Sequence, residues 1–136
     1  MKVALVEDSA HVRNVLARLL SAIEGVELAG EAEDVAGAIA LVERTAPDLV
    51  VLDVELRDHG RGIDVLRQLQ REHPGVEVIV LSNYGWSAMR DAFLAGGARA
   101  YFDKAFEFGQ ALQWIRERQA AAMATTPAVA AAQAPA

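Results

Sequence analysis

The sequence predicts a doubly wound α/β domain, with five parallel strands in the order 2-1-3-4-5 and helices on both faces. Short continuous apolar runs, the mark of strands buried on both sides, alternate five times with segments of helical period. Crossovers between parallel strands are right-handed, which puts the intervening helices on both faces of the sheet. Acidic, hydroxyl and lysine side chains stand directly after the runs, at the edge where ligands bind in such sheets.

Val3–Val6 is the first run, and it stops at Glu7 and Asp8. The apolar residues Val12, Val15, Leu16, Leu19, Leu20 and Ile23 then fall on one helix face, with Asp8 or Ser9 as the cap and Gly25 as the end. Val26–Gly30 reads as a second, weaker strand. Asp34 caps a helix carrying Val35, Ile39 and Val42, with Pro47 beyond it. Leu49–Leu52 is the most apolar run and ends in Asp53. A helix with Val65, Leu66 and Leu69 follows Gly62 and stops before Pro74. Val76–Leu81 is the fourth strand, followed by Ser82 and Asn83. The fourth helix runs from about Trp86 to Ala95 and is broken at Gly96–Gly97. Ala98–Phe102 is the fifth strand, with Lys104 just past it. The last helix begins near Phe106 and presents Phe108, Ala111, Leu112 and Ile115 on one face.

The chain has 136 residues, which suits one domain, assigned to residues 1–120. Residues 121–136 are rich in alanine and broken by Thr125, Thr126, Pro127 and Pro135, which predicts a disordered tail or a linker. Hydrophobic residues make up 53% of the chain, enough for a packed core. The net charge of −6 argues against direct binding to nucleic acid or to anionic lipid. The absence of cysteine excludes disulfides, thiolate metal sites and thiol nucleophiles, and suits a cytoplasmic protein. The opening MKVALVEDSA has too short an apolar run for a signal peptide, and no membrane span is expected.

In the predicted strand order, Glu7, Asp8, Asp53, Ser82 and Lys104 converge on one shallow pocket. Three carboxylates oppose each other's ionisation, so a cation must offset them. A hard divalent ion such as Mg²⁺ suits oxygen ligands, and Lys104 adds a second positive charge. Carboxylate, Mg²⁺, lysine and hydroxyl together supply what a phosphoryl group needs: a nucleophile, and electrostatic support for its oxygens.

The segments VALVEDS, VVLDVEL, VIVLSN and GARAYFDK, each at a strand end and in this order, resemble the receiver domain of bacterial two-component response regulators. The resemblance covers roughly residues 2–118. It implies the flavodoxin-like (CheY-like) fold and a phosphorelay function that catalyses only the domain's own phosphorylation and dephosphorylation. By resemblance, Asp53 is the phosphoacceptor, served by a sensor histidine kinase or a histidine phosphotransfer protein. Mg²⁺ would be held by Asp8 and Asp53 directly, by the Glu55 backbone carbonyl, and by Glu7 through a water. Lys104 would pair with the phosphoryl oxygens. Ser82 and Tyr101 would form the switch, and Glu55 and Tyr84 occupy the positions that tune phosphoryl lifetime. A downstream protein partner is implied, with a homodimer through the fourth helix, fifth strand and fifth helix as one output mode.

Two departures from the family pattern stand out. Ala105 follows Lys104 where many relatives have a cis proline, so a trans bond is expected here. The segment VELRDHGRG after Asp53 carries Arg57 where proline is frequent, reads as one residue longer before Gly62, and reads as mobile. Other readings remain open. A phosphorylation-independent binding module would fit drift at these positions. The chain would also fit the receiver of a longer DNA-binding regulator. An aspartyl-phosphate phosphohydrolase is disfavoured because Glu55 stands where its acid-base Asp would be. His11, His59 and His73 share no ligand spacing, and Trp86 and Trp114 read as core-edge or interface residues.

Overall fold

Each apolar run becomes a strand because both of its faces find a helix to cover them. A computed structural model describes residues 1–85 and 87–133, with side chains to residue 123. The strands are β1 (Lys2–Val6), β2 (Glu27–Ala32), β3 (Leu49–Leu52), β4 (Glu77–Ser82) and β5 (Ala100–Asp103). The helices are α1 (Ala10–Ser21), α2 (Val35–Thr45), α3 (Gly62–Glu72), α4 (Ser87–Ala95) and α5 (Phe108–Gln133). All strand pairs are parallel and the order is β2-β1-β3-β4-β5, as the sequence predicts.

Strand side chains alternate between two cores. Ala4, Val6, Val50, Leu52, Val78 and Val80 face α2, α3 and α4, meeting Ile39, Leu41, Leu66, Leu69 and Phe93. Val3, Leu5, Leu49, Val51, Ile79 and Leu81 face α1 and α5, meeting Leu16, Leu20, Ala111 and Ile115. Ser9 and Asp34 cap α1 and α2 by accepting from the amides of Val12 and Gly37. Trp114 is half-buried against the second core; Trp86 lies outside the described residues.

The register decides where the site lies. Val6, Leu52, Val80 and Tyr101 form one row across the sheet. Glu7 and Asp53 therefore leave the sheet side by side, one residue past that row.

Several element ends differ from expectation. β2 is displaced to Glu27–Ala32, because Glu31 and Ala32 still pair with Leu5 and Val6. Gly30 lies inside the strand rather than at its end, and a Cβ there would sit 2.6 Å from Leu41 Cδ1. β5 extends to Asp103, whose carboxylate then accepts from the amides of Ala105 and Phe106 and delays α5 to Phe108. The α5 backbone continues past Thr125 and Pro127 to Gln133 instead of breaking there, in a segment whose alanines have the highest helix propensity. No cis peptide bond occurs among the described residues, so Lys104–Ala105 is trans. Among these residues no helix is long and apolar enough to cross a membrane.

Candidate functional site

The site forms where β1, β3, β4 and β5 end. Glu7, Asp8 and Asp53 each bring a carboxylate oxygen to a point where all three lie within 4.8 Å of one another. Glu7 and Asp53 are buried, whereas Asp8 is half-buried. Lys104 reaches in from the end of β5. Its Nζ donates to Glu7 Oε1 and, at 3.1 Å, to Asp53 Oδ2. The backbone completes the arrangement: the Ser9 amide donates to Glu7 Oε2 and the Val54 amide to Asp53 Oδ1.

Burial pushes the Asp53 carboxyl up to about 7, against the pull of Lys104 and with the added repulsion of Glu7. Burial also tends to raise Glu7, but the hydrogen bonds from Lys104 and Ser9 bring it below the ordinary glutamate value. Asp8 is raised by burial and by Glu7 beside it. Burial disfavours the Lys104 ammonium, yet Asp53 and Glu7 hold it above the usual lysine value. A single ammonium thus serves a three-carboxylate cluster in which two carboxyls resist ionisation. A hard divalent cation on oxygen donors fits this set, because it supplies the missing charge.

The loop after Asp53 is well tied, contrary to the mobile segment its glycines suggest. Glu55 and Arg61 form an antiparallel bridge, closed by Leu56 N to Gly60 O at 2.9 Å and Gly62 N to Val54 O at 2.7 Å. That pattern leaves the carbonyl of Glu55 out of the hydrogen bonds of the bridge. Asp58 and His59 turn the chain with positive φ of 59° and 60°. Gly62 seals the loop against the site, since a Cβ would lie 2.1 Å from the Asp53 carbonyl oxygen. Backbone cannot yield as a side chain can. Gly62→Ala is therefore expected to cost about 1–3 kcal/mol in thermal unfolding and to displace Asp53.

Ser82 is fully buried, and its Oγ accepts from the Tyr84 amide at 2.8 Å. Tyr101 is turned inward behind it. Its hydroxyl donates to the Tyr84 carbonyl. The Tyr101 ring packs on Phe93 at 5.8 Å and lies under the Arg90 guanidinium at 5.5 Å. Arg90 pairs with Glu107 at 2.8 Å, which joins α4 to the start of α5. Across the mouth of the site, the Tyr84 hydroxyl donates to Glu55 Oε1 at 2.8 Å.

All eight residues singled out from sequence thus fall around one strand-end pocket. Two others were not singled out. The close approach at Gly62 had only a Gly-rich loop as its signal. Arg13, whose guanidinium lies on the carbonyl of Glu7 at 2.8 Å, is one basic residue on a helix and carried none.

Residues 3–116 match the family model described as the response regulator receiver domain. The chain is 42% identical over 99 residues to the DNA-binding transcriptional activator DevR/DosR of Mycobacterium tuberculosis, covering 72% of this chain and 45% of that protein. It is 28% identical over 130 residues to the response regulator GacA of Pseudomonas aeruginosa, covering 96% and 60%. The chain thus spans about half the length of these curated relatives. Among solved structures it resembles a LuxR-family two-component response regulator from Aurantimonas sp., with TM-score 0.81, 27% identity, and 88% and 85% of the two chains covered. It also resembles the response regulator domain of Thermotoga maritima CheB, with TM-score 0.77, 25% identity, and 90% and 96% covered.

Proposed function

Because this chain belongs to the response regulator receiver domain family, we propose that it accepts a phosphoryl group on Asp53 and switches conformation to regulate a partner protein. The donor is a sensor histidine kinase or a histidine phosphotransfer protein. The observation that carries this reading is the buried Asp53 carboxylate, held by Lys104 and the Val54 amide beside two further carboxylates.

An Asp53 carboxylate oxygen attacks the phosphorus of the donor phosphohistidine. The P–N bond breaks, and the imidazole leaves with the electron pair and takes up a proton from water. Mg²⁺, when bound, neutralises the charge that gathers on the phosphoryl oxygens. Asp8 and Asp53 would hold it directly, the Glu55 carbonyl would complete the protein ligands, and Glu7 would act through a water. Lys104, which pairs with Asp53 beforehand, remains to pair with the phosphoryl oxygens. The new acyl phosphate gives the Ser82 hydroxyl an acceptor for its proton, drawing Oγ toward the phosphoryl group and away from the Tyr84 amide that donates to it. Tyr101 packs behind Ser82 and carries the change to the α4–β5–α5 face, where a downstream protein or a second copy would bind.

The hydrogen bond between Tyr84 and Glu55 lies over the same mouth and supports a role in phosphoryl lifetime. Tyr84→Ala is expected to speed hydrolysis of phospho-Asp53 severalfold by opening the site to water. An unchanged rate would rule out shielding.

On this reading the receiver occupies residues 1–120, with residues 121–136 as a tail, and it works in the cytoplasm without touching nucleic acid itself. Intact-mass measurement after incubation with acetyl phosphate or a phosphohistidine donor tests the proposal. A phosphoryl adduct that forms with Mg²⁺ and not with chelator supports it. Folded protein that takes no phosphoryl group from either donor would favour a phosphate-independent binding module.

A further inference from the structure

We infer that Arg13 is a positioning residue for the divalent-ion site, fixing Glu7 and Asp8 through their backbone carbonyls and tying their turn to the loop after Asp53. The inference rests on the Mg²⁺-dependent reading above.

Arg13 lies in the first turns of α1, and its side chain folds back over the helix start rather than out to solvent; it is 19% exposed. Nη1 donates to the Glu7 carbonyl at 2.8 Å and reaches the Asp8 carbonyl at 3.4 Å. A cation at a helix N-terminus meets the positive end of the dipole, so this placement needs compensation. Glu31 and Glu33, at and just past the end of β2, supply it at 3.4 and 3.7 Å. Glu33 continues the chain of contacts: its carboxylate meets Arg57 Nε at 3.5 Å, and its carbonyl accepts from the Arg57 amide at 2.9 Å. Arg57 stands two residues after Glu55. The strap Arg13–Glu33–Arg57 therefore joins the two loops that deliver all the expected ligands.

Stability is a poor explanation for the strap. Glu31, Glu33 and Arg57 are 36%, 39% and 53% exposed, and ion pairs at such positions contribute little. Orientation is the better one. Two consecutive acidic residues must both serve one site, and their carbonyls point elsewhere and need a donor. Partners that orient metal ligands typically change affinity by about 10–100-fold when removed.

Electrostatics alone makes the opposite forecast, which gives the test its power. Removing a cation near three carboxylates should tighten Mg²⁺ binding; loss of positioning should weaken it. Calorimetric titration of the full chain with Mg²⁺ decides, using Arg13→Ala, Arg13→Lys and Glu33→Gln beside wild type. The expected result is a Kd raised about tenfold or more for Arg13→Ala. Arg13→Lys should recover part of the affinity and Glu33→Gln should lose less of it. The metal-free Tm should fall by only a few degrees. Arg13→Ala binding Mg²⁺ as tightly as wild type, or tighter, would overturn the inference and leave the receiver reading standing. Should that variant not fold, Arg13→Lys and Glu33→Gln with wild-type Kd would overturn it equally. Wild type that binds no Mg²⁺ would sink both.

Discussion

Lys104→Ala is expected to destabilise the metal-free protein by about 3 kcal/mol, because it strips a buried carboxylate of its counterion. Glu7 is 2% exposed and Lys104 14%, so water cannot easily replace the ammonium. At this chain length that loss corresponds to a fall in Tm of about 10 °C. Glu7, Asp8 and Asp53 then face each other without a fixed cation, and proton uptake is their main relief. Excess Mg²⁺ should restore a large part of the stability, because it brings positive charge to the same oxygens. Phosphoryl transfer should remain strongly impaired even at saturating Mg²⁺, since the lysine that pairs with phosphoryl oxygens is gone. Thermal unfolding with chelator and with Mg²⁺ checks the first half, and intact mass checks the second. A Tm equal to wild type in chelator would show that the Lys104 bridge carries no stability.

Asp53→Asn is expected to abolish phosphoryl transfer while making the metal-free protein more stable at pH 8. Burial raises the Asp53 carboxyl from 3.8 to about 7. Between those values the folded state binds a proton that the unfolded state has lost. Its stabilising contribution is therefore complete below about pH 4 and is lost as pH rises through about 7. Asparagine has no such titration. The stability of the variant relative to wild type should rise by on the order of 2–4 kcal/mol between pH 5 and pH 8 in chelator. Mg²⁺ should largely close that gap by stabilising wild type more than the variant, by about 2.7 kcal/mol at a hundredfold excess over Kd. Melting curves of both proteins across pH, with and without Mg²⁺, check this. A gap that does not change between pH 5 and pH 8 would mean that Asp53 ionises normally.

The strand order and the site were legible for one physical reason. Buried parallel strands are continuous apolar runs, and the residue ending each run must meet the ligand edge. Glu7, Asp53, Ser82 and Lys104 could be placed from that alone. Strand ends were less legible. Glu31 and Ala32 have no apolar signature, yet they pair because β1 beside them continues to Val6. Asp103 reads as a loop residue but closes β5 and then caps the turn that follows. The loop after Asp53 looked mobile from Gly60 and Gly62. Gly62 instead serves a close backbone approach, which composition cannot distinguish from flexibility. The Tyr84–Glu55 hydrogen bond was illegible because it joins segments 29 residues apart, and Arg13 because its local contact to the Glu7 carbonyl depends on a side chain folding back over the helix start, which one basic residue in a helix does not signal.

The central claim is that Asp53 is the metal-dependent phosphoacceptor. Peptide mapping of the wild-type chain after reaction with acetyl phosphate tests it most directly, run with Mg²⁺ and with chelator. The account predicts a phosphoryl group on Asp53 alone, formed only with Mg²⁺. A phosphoryl group on Glu7 or Asp8, or transfer to Asp53 unaffected by chelation, would contradict it.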